Sequence, residues 1–139
     1  MYLVNQIIIS NKMKILLYTD NHFAQYSSIV RGRGNNYSLR LENQIQTMNW
    51  IEKQAQQYNC EEVVCLGDFF DKPELNSEEI TALKDIQWYG VTHRFIVGNH
   101  ESNISSLIYN STKALEGMTS FDVISKPKLI PYGKTDGVH

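Results

Sequence analysis

Excess positive charge is missing from this chain: 13 lysines and arginines stand against 15 aspartates and glutamates, a net charge of −2 over 139 residues. No overall basic field therefore draws it to nucleic acid, and any such binding must come from local patches. Cysteine is scarce as well. Cys60 and Cys65 are the only two, which gives neither a disulfide framework nor zinc-knuckle spacing, and Cys65 sits in an apolar run that reads as core. That usage fits a reducing compartment. No stretch approaches the ~18 consecutive apolar residues of a membrane-spanning helix. The opening MYLVNQIIISNK lacks the basic start, long apolar stretch and small-residue cleavage site of a secretory signal. Internal repeats, low-complexity tracts and dividing linkers are also missing. What is present is 42% hydrophobic and 20% charged residues, which excludes a disordered chain. The length is that of one domain able to bury a core without staples.

Along the chain, residues 14–19 (KILLYT) form a short apolar run that suits a buried strand. Met13 stands directly before it. Residues 1–12 are either an extension upstream of a natural start at Met13 or an extra edge strand around Ile7 to Ile9. Residues 23–37, rich in glycine and asparagine, read as a loop. From Ser38 to about Tyr58, the positions Leu41, Ile45, Met48, Ile51, Ala55 and Tyr58 step by three or four and predict one buried helix face, with Ser38 as its cap. Residues 63–66 (VVCL) and 91–97 (VTHRFIV) predict two further strands. Between them a helix starts at Ser77, carries Ile80, Leu83 and Ile86, and stops near Gly90. A short helix over 111–116 and strands near 121–124 and 129–132 complete the reading. The alternation predicts an α/β layered fold with a largely parallel sheet. Trp50, Trp88, Phe69 and Phe70 read as packing residues, with the two phenylalanines also placed to shape the floor of a site. His93, inside a strand, reads as structural.

Three polar clusters follow three apolar runs: Asp20-x-His22, Gly67-Asp68-x-x-Asp71 and Gly98-Asn99-His100-Glu101. In open α/β sheets ligands bind beyond the carboxyl ends of the strands. If these strands are parallel neighbours, the clusters meet at one edge. Each is weak alone, but a four-residue match such as Gly-Asn-His-Glu arises by chance at roughly one position in 10⁵. The mixed nitrogen and oxygen donors suit Mn, Fe or Zn better than a metal that prefers thiolates. Asp68 is central enough to bridge two cations, and the glycines let the backbone turn sharply beside them.

With these motifs the chain resembles the calcineurin-like metallophosphoesterase superfamily, whose D-x-H, G-D-x-x-D and G-N-H-[DE] motifs stand here over about residues 13–132. The contexts KILLYTDNHF, GDFFD and GNHE resemble its DNA-repair branch of SbcD-like and phage recombination exonuclease subunits. The resemblance implies a layered metallophosphoesterase-type sheet with flanking helices, and two divalent cations, with Mn expected and Mg, Fe or Zn as alternatives. It implies that Asp20 and His22 hold the first metal, Asp68 bridges, Asn99 holds the second, and His100 acts on the phosphate as general acid or charge stabiliser. Asp71 would orient ligands or water, and Glu101 would support its loop or orient His100. It further implies phosphodiester hydrolysis on DNA in recombination or repair, an SbcC-like ATPase partner, a homodimer, no membrane, and a cytoplasmic setting, that of the host for a phage-encoded chain.

The chain departs from the family after His100. The later lone His and the Gly-His-x-His pair have no counterpart, since only His139 follows. Residues 13–139 therefore read as the amino-terminal part of such a domain, truncated, with an incomplete β-sandwich core and little activity of its own. Arg31, Arg33 and Arg40 cluster beside the first motif and are candidates for contacts to DNA phosphates. Two rival readings share the motifs: a phosphatase or small-phosphodiester hydrolase, and an inactive remnant or assembly module.

Overall fold

Alternating and continuous apolar runs become five strands and three helices in a computed structural model, which describes residues 6–10, 13–98, 113–116, 118 and 120–131. The strands are β1 (Gln6–Ser10), β2 (Met13–Tyr18), β3 (Glu62–Cys65), β4 (Thr92–Ile96) and β5 (Phe121–Ile124); the helices are α1 (Leu39–Gln57), α2 (Ser77–Lys84) and α3 (Lys113–Glu116). They form one sheet in the order β1-β2-β3-β4-β5. The strands β2 to β5 run parallel, and β1 pairs antiparallel with β2 at the edge. The edge strand expected around Ile7 to Ile9 forms over Gln6–Ser10.

Register explains the core. Leu16 pairs with Val63 and Tyr18 with Cys65, while Val63 pairs with His93 and Cys65 with Phe95. Strand side chains alternate faces, so these six share one. Five of them join Leu41, Met48, Ile51 and Ala55 of α1, Ala82 and Leu83 of α2, and Leu115 of α3 in a single hydrophobic cluster. Phe69 and Phe70 are fully buried there and stack edge-on, at 4.8 Å between ring centres. Trp88 packs edge-on against Phe121 at 4.9 Å. Trp50 is 51% exposed and Tyr58 45%, so neither is the packing residue that helical spacing predicts.

Helix α1 begins where the Ser38 hydroxyl accepts from the Leu41 amide at 3.2 Å. It ends in a Schellman turn, with Asn59 at φ 54°, its N–H on the Gln56 carbonyl and that of Cys60 on the Ala55 carbonyl. Helix α2 starts at Ser77 as expected, behind Asn76, which caps it in a reciprocal capping box with Glu79. It stops at Lys84 rather than near Gly90 because α1 captures the next amides: Gln87 N–H donates to Asn49 Oδ1 at 2.8 Å and Tyr89 N–H to Glu52 Oε2 at 2.9 Å. The strand expected near 129–132 does not form over residues 129–131, where Leu129 is 95% exposed; Tyr132 lies outside the described residues. No helix among the described residues is long and apolar enough to cross a membrane.

Candidate metal centre

The parallel strands β2 and β3 deliver their following loops side by side, and hydrogen bonds join the two loops. Asp20 N–H donates to the Gly67 carbonyl at 3.1 Å, His22 N–H to Asp68 at 3.0 Å and Phe23 N–H to Phe69 at 2.7 Å. Asp71 N–H returns to the Phe23 carbonyl at 3.3 Å. Three side-chain-bearing residues in this pair of loops take left-handed backbone conformations: Asp20 at φ 56°, His22 at φ 49° and Asp68 at φ 50°. Such conformations persist where surrounding structure over-determines them, and they concentrate at functional sites. Gly67, at φ 134°, is in a region that favours glycine.

These turns bring Asp20, His22 and Asp68 together, with one ligand atom from each lying within 4.8 Å of the others. His22 Nε2 is 3.6 Å from Asp20 Oδ1, while Nδ1 is 3.2 Å from Asp71 Oδ1. One imidazole nitrogen thus faces the cluster and the other faces a carboxylate outside it, as in histidines that ligate metals. The Thr19 hydroxyl donates to Asp20 Oδ2 at 2.9 Å. Three carboxylates around one imidazole carry net negative charge at an accessible edge. Carboxylate oxygens plus imidazole nitrogen are the donors of Mn, Fe and Zn sites, so the residues fit a divalent cation.

Gly98 follows β4 and closes against Asp68, so the third motif begins beside the second. Asn99, His100 and Glu101 lie outside the described residues. The three arginines separate. Arg31 is exposed and makes no ion pair among the described residues. Arg33 Nη1 donates to Glu78 Oε1 at 2.6 Å, a contact that raises the arginine's pKa. Arg40 Nη2 donates to the His22 carbonyl at 2.7 Å, so this arginine contacts the backbone of the site itself. His93 is fully buried, with Nδ1 on the Val91 carbonyl at 2.8 Å and Nε2 on Glu52, a structural position.

Helical spacing of apolar residues passes over Gln44, a buried glutamine on α1 that contacts the Asp20–His22 turn. The available signal was a polar residue at i+3 from Leu41 and i−4 from Met48, on the face meant to be apolar.

A parallel sheet that gathers carboxylates and imidazole at its carboxyl edge defines a metal-binding α/β protein of hydrolase type. The chain belongs to the calcineurin-like phosphoesterase family, whose family model matches residues 13–137. Its general chemistry is metal-dependent phosphoester hydrolysis. No curated protein matches the chain.

Proposed function

We propose that this chain hydrolyses phosphodiester bonds in DNA with two divalent cations, Mn for preference, as a nuclease subunit acting in recombination or repair. The observation that carries the reading is the cluster of Asp20, His22 and Asp68 beyond adjoining parallel strands, inside a family match over residues 13–137. The resemblance of KILLYTDNHF, GDFFD and GNHE to the SbcD-like branch supports the DNA substrate, an SbcC-like ATPase partner, a homodimer and action in the cytoplasm.

In this reading Asp20 and His22 would hold the first cation, Asp68 would serve both and Asn99 would hold the second. When bound, the cations supply positive charge to the phosphate and acidify the attacking water. Asp71, in contact with His22 Nδ1, fixes the imidazole so that Nε2 presents its lone pair to the cluster. His100 donates a proton to the departing oxygen, and Glu101 steadies it. Hydrolysis proceeds by direct in-line attack, with no covalent bond to the protein.

The test is cleavage of an end-labelled duplex, a simple bis-phosphodiester and a phosphomonoester, with and without Mn, by the chain and by Asp20→Ala. Mn-dependent duplex cleavage lost in Asp20→Ala supports the proposal. Turnover confined to the small esters would make the protein a phosphatase or small-phosphodiester hydrolase. Tight Mn binding with no turnover of any substrate would favour an assembly module.

A further inference from the structure

We propose that Gln44 is a positioning residue, reaching from helix α1 to hold the Asp20–His22 turn in the shape that presents its ligands. The inference rests on the metal-site reading above and extends it to a residue outside all three motifs. The Gln44 side chain is buried, and its side-chain hydrogen bonds among the described residues go to this turn and to Ala24 just after it. Its Nε2 donates to the Asn21 carbonyl at 2.9 Å and to the His22 carbonyl at 2.9 Å. Its Oε1 accepts from the Ala24 amide at 3.1 Å. One primary amide therefore spans four consecutive residues with two donors and one acceptor, which no other neutral side chain of similar length provides.

The turn needs such a hold. Asp20 and His22 flank Asn21 in left-handed conformations that L-residues adopt only when neighbours impose them. Asn21 cannot supply the restraint itself. Asn21 is buried at 3% exposure, and among the described residues neither polar atom of its side-chain amide has a hydrogen-bond partner. Restraint comes instead from two sides. The loop after β3 takes the N–H groups of Asp20 and His22, and α1 takes the carbonyls of Asn21 and His22. Arg40, one helical turn before Gln44, adds its Nη2 to the His22 carbonyl at 2.7 Å. Because α1 is also packed on the sheet through Leu41, Met48 and Ile51, the turn inherits the rigidity of the core.

A purely structural role would have Gln44 satisfying buried carbonyls with no bearing on ligand geometry. The experiment compares Gln44→Met, which keeps shape without hydrogen bonds, and Gln44→Glu, which keeps the acceptor for Ala24 but loses the donors. Gln46→Met, an exposed position on the same helix, is the control. Two quantities are read: Mn affinity by calorimetry, and amide hydrogen exchange in the metal-free protein. Both Gln44 variants are expected to weaken Mn binding about 10–100-fold. In Gln44→Met the exchange of Ala24 should also accelerate, while Met48 and Ile51 keep their protection and Gln46→Met matches the parent chain. Parent-like Mn affinity in a folded Gln44 variant overturns the proposal. So does loss of α1 protection together with Mn binding in both variants, which would make Gln44 a core residue only. If the parent chain itself binds no Mn, the metal reading fails, and Ala24 exchange then decides separately whether Gln44 holds the turn.

Discussion

Gly98 is stopped against Asp68: a Cβ at position 98 would lie 2.5 Å from the Asp68 amide nitrogen, and closer still to its Oδ1. The obstacle is partly backbone, so it cannot swing aside as the end of a flexible side chain would. Gly98→Ala should therefore push Asp68 away from Asp20 and His22. A loss of about 1–3 kcal/mol in stability is expected, the usual cost of overpacking, with at least tenfold weaker Mn binding. Thermal unfolding and metal titration of the variant check both. Gly67 is required for a different reason. A Cβ there would meet nothing nearer than 3.7 Å, but its φ of 134° disfavours any L side chain.

The sheet was legible because β3 is buried at every position and β2 and β4 place apolar residues on the core face, and Asp-Asn-His, Gly-Asp and Gly-Asn-His punctuate each run where its strand ends. What escaped the reading are side chains that act across the chain. Apolar spacing identified the buried face of α1 but gave no meaning to Gln44 and Glu52 on it. Yet Gln44 holds the first motif, and Glu52 helps to end α2 early by taking the Tyr89 amide. Arg33 and Arg40 looked like part of one basic patch. Their partners, the Glu78 carboxylate and the His22 carbonyl, lie 45 and 18 positions away and leave no trace in local composition.

Asp68 and Asp71 follow the same glycine but stand differently towards His22. Asp68 joins the ligand cluster, whereas Asp71 Oδ1 faces His22 Nδ1 at 3.2 Å. Asp71→Asn should lower Mn affinity about 10–100-fold through the orientation of His22. Asp68→Asn should lower it further, because it removes charge from the cluster itself. Calorimetric titration of the two variants gives the order; equal losses would remove the bridging assignment.

Far from the metal cluster, Glu52 and His93 form a buried pair that ties α1 to β4. A carbonyl only accepts, so His93 Nδ1 carries the hydrogen that bonds Val91, and Nε2 lies 2.8 Å from Glu52 Oε2. His93→Ala would leave the Glu52 carboxylate buried without this partner. That should cost about 3–5 kcal/mol of stability. Glu52→Leu combined with His93→Phe should recover much of it. Urea unfolding measures the losses, and metal affinity should be unchanged in whichever variants fold.

Glu42 sets an acid limit on the loop before α1. It accepts from the amides of Asn36 at 2.7 Å and Tyr37 at 3.3 Å, and these bonds hold its carboxyl below the ordinary value of 4.5. A depressed value in the folded state means that the contribution to stability is present above the unfolded value and is lost as pH falls through the folded one. The Asn36 and Tyr37 amide resonances should therefore titrate on the acid side of 4.5. In Glu42→Gln that transition should vanish. The Tyr37 hydroxyl, pushed up to about 12 by its hydrogen bond to Asp85, stays protonated throughout and does not confuse the reading.

The three arginines should separate by salt dependence in the same way that they separate in space. Each phosphate contact made by a cation steepens the dependence of duplex affinity on salt by about one unit of logarithmic slope. Arg31, exposed and without an ion pair among the described residues, is the one whose charge is available to DNA. Arg31→Ala should flatten the slope by about one and weaken binding alike for all sequences. Arg33 is already neutralised by Glu78, whose Oε1 also accepts from the Ser38 amide at 2.8 Å. Arg33→Ala should change the slope little and loosen the start of α1 instead. Arg40 contacts the His22 carbonyl, so Arg40→Ala should act on Mn affinity more than on salt dependence. Fluorescence anisotropy of a labelled duplex across about 50–200 mM salt, paired with Mn titration, distinguishes the three. Equal slope changes in all three variants would mean that the ion pair with Glu78 and the bond to His22 give way when DNA binds. An unchanged slope in Arg31→Ala would take this loop out of the DNA contact altogether and favour a small phosphoester as substrate.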